Sequence, residues 1–192
     1  LASIEIHAVQ TVSGNQPRAR RIIEEAAQTF LPGTPVTIAS ADGGVAAWNG
    51  TTLTNAIAGF SLEAGNNLSA LGTNPSAAVT PAQSLTFGSV PNEPSAKNIG
   101  RPLFNDGRIG FEVATTDTVF RGQVGPSQTA AATDVGVNYG LTKDTDNHWY
   151  VDKTKTGANA VVTVTKLDPG DQSASPRGVY FTVMPAAAQS VV

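Results

Sequence analysis

Two histidines, His7 and His148, are the residues with the most versatile acid–base chemistry in this chain, and they lie far apart in it. His148 sits in DTDNHWYVD with Asp144, Asp146 and Asp152, the one dense acidic cluster. A histidine beside a carboxylate can act as a general base, but it then needs a nucleophile, and no serine stands in a G-x-S-x-G context. The opening D-T-D-N resembles an EF-hand loop, yet Trp149 occupies the sixth position, where glycine is required, and Lys155 the twelfth, where glutamate is. The cluster therefore reads as a polar hairpin turn, and His148 as a surface residue at a strand start. No glycine-rich phosphate loop follows a strand, and the chain has no cysteine, so thiolate metal sites and disulfides are excluded. Neither catalysis nor a bound metal or cofactor is expected.

What remains are residues suited to contact. Arg18, Arg20 and Arg21 are followed at once by Glu24 and Glu25, which favours local ion pairs or an acidic partner surface over a phosphate site. Trp48, Trp149 and Tyr150 could stack on sugar rings or anchor a core. Asn49-Gly50-Thr51 and Asn67-Leu68-Ser69 fit the N-glycosylation acceptor, a pattern met often by chance in an Asn- and Thr-rich chain.

The elements that must position these residues are mostly strands. Gly33 to Gly50 reads GTPVTIASADGGVAAWNG, and its Asp-Gly and Asn-Gly pairs supply the positive φ angles of tight turns. It is expected to be a β-hairpin anchored by Trp48. TNAIAGFSL and QSLTFGSV read as strands, and residues 63–82 and PNEPSAKNIGRP as long loops. Then GRIGFEVA, TVFRGQV, DVGVNYGLT, HWYVD, NAVVTVTKL and RGVYFTVMP follow, each bounded by turn formers. Their spacing predicts a mainly β protein, an antiparallel sandwich or small barrel with long loops. SIEIHAVQTV reads as an extended N-terminal arm or edge strand. Ile22, Ile23, Ala26, Ala27 and Phe30 fit one helical face behind Pro17, so a single short helix is expected in Arg18–Phe30, although alternation can be read there too. Residues 1–30 thus form the arm, 31–185 a β-rich domain with any division into lobes near 91–106, and 186–192 a loose tail.

Charge narrows the class of partner. Charged residues are 14% of the 192, against a usual share of about 25%. The net charge of −3 offers no pull toward nucleic acid or anionic lipid, and no apolar run approaches the length of about 18 that spans a bilayer. Neither a nucleic acid nor a membrane is expected as partner. Between Ile22 and Ala96 there is no Lys or Arg, and interface cores are depleted in charge. Adjacent aromatics in HWYVD and GVYFTV place one ring on each sheet face. A homo-oligomer, dimer or trimer, is expected, with Trp149 or Tyr180 near a contact. The candidate interface residues are Ile4, Ile6, Arg18, Arg20, Arg21, Trp48, Trp149 and Tyr180.

The order FLPGTPV, GGVAAWNG, AIAGFSLEA resembles the N-terminal part of tailed-bacteriophage head decoration (cement) proteins. FGSVPNEPSA, NDGRIGFEVATTDTVFRGQV, HWYVDK and Arg177 to Phe181 are similar to the same virion proteins, so the likeness runs from about Thr29 to Pro185. Arg18 to Phe30 has no counterpart in that pattern. The resemblance implies a β-rich structural protein on the outer surface of an icosahedral capsid. There it would bridge and stabilise major capsid protein subunits, often as a dimer or trimer, with no catalytic residue. A carbohydrate-binding or adhesin-like domain of a tail fibre or spike is the competing expectation.

Overall fold

The computed structural model describes residues 5–25, 28–39, 43–54, 56–65, 108–171 and 173–189. Eleven strands are present among them: β1 (His7–Thr11), β2 (Ala19–Ile23), β3 (Pro35–Ile38), β4 (Val45–Ala47), β5 (Gly59–Ser61), β6 (Arg108–Val113), β7 (Thr118–Gln123), β8 (Asn138–Lys143), β9 (Trp149–Asp152), β10 (Val162–Leu167) and β11 (Gly178–Val183). They form two antiparallel sheets, β1-β7-β11-β10-β8-β9 and β2-β6-β5-β3-β4. The architecture is the expected mainly β sandwich.

Each sheet curls toward itself without closing. Glu25 N–H donates to Val45 O at 2.8 Å, bringing the end of β2 to β4. Gly125 N–H donates to Val151 O at 3.1 Å, bringing the end of β7 to β9. The sheets are also laced together by the chain, because β1 and β2 join different sheets, as do β6 and β7. The tight β6–β7 turn is held by the hydroxyls of Thr115 and Thr118, 2.8 Å apart, and by Thr118 Oγ1 donating to Val113 O at 3.0 Å.

The pleat decides which side chains meet. Phe120 of β7 lies opposite Phe181 of β11, and Phe60 of β5 reaches them from the other sheet. All three are fully buried, with ring centroids 4.5 to 6.0 Å apart. Aromatic contacts at such spacing add about 0.5–1.5 kcal/mol to the area they bury. On the other side of the five-stranded sheet, Val36, Val45, Ile109, Phe111 and Val113 form a second cluster with Phe30.

The 33–50 hairpin is present as β3–β4, with Gly43 at φ 75° and Gly50 at φ 78° in its turns. The stretch expected to hold a helix differs. Residues 19–23 are strand β2, paired with β6 from Ala19↔Glu112 to Ile23↔Arg108, and residues 26–27 lie outside the described ones. Two β-branched residues in a row, Ile22 and Ile23, suit a pleated edge better than a helix once β6 offers a partner. The described residues hold no helix beyond two single 3-10 turns, Ala132–Asp134 and Gly157–Asn159.

The N-terminal stretch is the edge strand β1, and it is docked: Ile6 is only 2% exposed in the main core. The end of the chain is not loose through residue 189. Ala187 is buried, Ala188 bridges to Ile57, and the Gln189 amide both accepts from Ile38 N–H and donates to Ile38 O, at 2.8 Å each. QSLTFGSV and residues 91–106 lie outside the described residues.

Candidate functional site

The turn between β8 and β9 brings Asp144, Asp146 and His148 together, their ligand atoms within 4.8 Å of one another. Asp144 Oδ1 already accepts the N–H groups of Asp146 and His148, both at 2.9 Å, and Oδ2 lies 3.6 Å from His148 Nδ1. Asn147, at φ 65°, completes a polar hairpin turn of the kind the sequence predicts. Asp152 is elsewhere, engaged by Gln128, Thr142 and Thr154. Calcium takes about 6–8 oxygen ligands, and this turn gathers two carboxylates. Millimolar calcium, or EDTA, is therefore expected to leave the melting temperature unchanged in a thermal scan. A rise of several degrees with calcium would contradict this.

The tryptophans are spent on each other. Trp48 and Trp149 are 3% and 8% exposed, with ring centroids 5.4 Å apart, and Trp48 Nε1 donates to Thr52 O at 2.7 Å. Gly50 passes close beside Trp149, where a Cβ would stand 3.4 Å from the ring. Neither indole offers the open face that sugar stacking or a contact between copies requires, so both leave the set of surface candidates. Asn49 Oδ1 accepts from Thr51 and Thr52 N–H at 2.9 Å, tying that acceptor motif into the turn. Ile6 likewise belongs to the core, and Ile4 and Asn67 lie outside the described residues. Tyr180 is half-buried beside Asp168, its hydroxyl 3.5 Å from Oδ1.

The arginines separate. Arg21 pairs with Glu63 at 2.8 Å, and Glu63 also accepts Gly110 N–H at 2.6 Å. Arg18 is exposed and Arg20 half-buried, and these two line a cleft with the β6–β7 turn and the chain's end.

Three carboxylates that the sequence reading passed over act as internal clamps. Asp168 is buried and takes Arg121 Nε and Nη2 on one oxygen, at 2.8 and 2.6 Å, and Gly170 N–H on the other at 2.9 Å. Asp171 accepts Arg177 N–H at 2.6 Å and Gly178 N–H at 2.8 Å. The turn signature Asp168-Pro169-Gly170-Asp171 was the available signal for both. Asp134, also buried, accepts from Tyr139 Oη, Lys153 Nζ and Ala131 N–H at 2.7 to 2.8 Å.

Burial raises the pKa of Asp134, Asp152 and Asp168, but the donors around each outweigh it and hold them below the ordinary range. The N–H groups of Arg177 and Gly178 hold Asp171 down most strongly. Burial beside Asp134 pushes the Tyr139 hydroxyl up to about 12. Glu112 runs the other way: burial raises it, and the Ala8 N–H and nearby His7 offset only part of that.

The pH dependence follows from these directions. Depressed carboxylates bind their protons less readily folded than unfolded, so their stabilisation is present above about 3.9 and is lost as pH falls through the folded values. Glu112 contributes below about 4.3 and loses its contribution as pH rises through its raised value. Four groups oppose one. The melting temperature is expected to be nearly flat from neutral pH to about 5 and to fall steeply below about 4. A scan in which stability rises on acidification below that point would contradict the assignment.

Compared with known proteins, the chain matches no family model, no curated protein and no solved structure.

Proposed function

We propose that the protein is a structural binding protein of a tailed-phage head, attached outside the shell and bridging major capsid protein subunits. One observation supports this reading above the others. The described segments that carry the resemblance coincide with strands: FLPGTPV runs into β3, GGVAAWNG holds β4, AIAGFSLEA holds β5, NDGRIGFEVATTDTVFRGQV spans β6 and β7, HWYVDK holds β9, and Arg177–Phe181 opens β11. Two interlocked sheets give the rigid shape that clamping a shell needs, and many weak contacts made together raise affinity without any single strong one. The dimer or trimer that the resemblance implies would meet through a surface other than Trp48 and Trp149, whose rings are covered within the chain. The carbohydrate-binding alternative loses the same two rings.

The test adds purified protein to heads of the phage that encodes it and images them by electron microscopy. Regular extra density on the outer shell is expected. Bare shells, together with binding to a glycan array, would replace this reading with the carbohydrate-binding one.

A further inference from the structure

Four strands end the two sheets, and three of those ends are tied to another strand. The end of β2 is bridged to β4, and β9 is bridged to the end of β7. β1 differs: it pairs with β7 on one side, and no backbone bridge reaches its other side among the described residues. An open edge is a template for another strand, and proteins blunt it with charge, proline, a bulge or a cover.

The sequence of β1 supplies no fixed charge for that purpose. From Ile6 to Pro17 there is no Lys, Arg, Asp or Glu. Val9 and Val12 are 37% and 70% exposed, two of the four large apolar side chains that stand out in solvent among the described residues. The run HAVQT holds no proline and only one ionisable group, so it can meet its own antiparallel copy without opposing like charges. Such a contact closes on itself by a two-fold axis, which makes a second copy of this chain the partner that suits the edge.

Two features act against that pairing. The register of β1 slips between Ala8 and Gln10, which interrupts the even spacing of its backbone groups. The other comes from the opposite sheet. Glu112 of β6 is half-buried opposite Phe60 of β5, and its carboxylate accepts the Ala8 N–H. An ionised carboxylate accepts and never donates. It therefore occupies the N–H that an incoming carbonyl would need, and sets its negative charge against that carbonyl.

We propose that Glu112 guards the open edge of β1 against antiparallel strand pairing with a second copy of this chain.

The test is sedimentation velocity of the full chain across micromolar concentrations, with the wild-type protein as baseline. Glu112→Ala is expected to self-associate about tenfold more tightly than wild type, the effect of removing one charged partner of a backbone N–H. Glu112→Gln keeps an acceptor for Ala8 N–H and loses the charge. It should fall between the two, and it supplies the comparison if Glu112→Ala folds poorly. Adding Val9→Lys, at an exposed position, should return either variant to the wild-type pattern, because a lysine on an edge strand blocks pairing. A chain that merely sticks through lost stability would not be rescued by that change. Folded Glu112 variants that sediment as wild type, or association that Val9→Lys leaves in place, would overturn the proposal.

Discussion

Phe120→Ala is expected to cost the folded protein about 3–5 kcal/mol in urea or thermal denaturation. Phe120 is fully buried at the point where the two sheets meet, 4.5 Å from Phe60 and 6.0 Å from Phe181 by ring centroids. Removing the ring forfeits its transfer free energy and leaves a cavity walled by two strands that cannot collapse, because β7 is paired on both sides by β1 and β11. Phe120→Leu keeps most of the volume and should lose less than half as much. Equal and small losses from both substitutions would place the packing centre elsewhere.

Gly59→Ala is expected to be nearly as damaging, although it adds a single methyl group. A Cβ at Gly59 would stand 2.1 Å from the Glu112 carbonyl oxygen and 2.6 Å from the Phe111 ring. Both belong to β6, so β5 must separate from its neighbour or twist out of register, at a cost of about 3 kcal/mol or more. Gly43→Ala is the control. That residue sits at φ 75° with open space around it, so its cost is the backbone strain alone, about 1 kcal/mol. Denaturation midpoints for the two variants should differ widely, and matching midpoints would contradict the close approach of β5 to β6.

The hairpin of residues 33–50 and the strands after residue 107 were legible because local chemistry and pattern agree there. Asp-Gly and Asn-Gly mark the turns, and valines, threonines and aromatics alternate between them. The stretch from Arg18 to Phe30 was not, because its isoleucines satisfy two periods at once. What decides between them is β6, a partner far along the chain that no local window contains. The same limit applies to the aromatics: alternation says that a ring faces a given side, not that Trp48 will be there to meet Trp149. Of the three arginines the sequence grouped, the pleat sends Arg21 to Glu63 and places Arg18 and Arg20 along the cleft wall. The wall supplied by Gln189 had no signal at all, since an Ala- and Val-rich tail looks the same whether it docks or frays.

The most direct test of the proposed reading, that this chain is a phage head protein, is quantitative mass spectrometry of purified phage particles. A structural head protein is predicted to be present at a fixed whole-number ratio to the major capsid protein, and to remain with heads whose tails have been removed. Its absence from the head fraction, or a copy number that follows the tail fibres instead, would contradict the account.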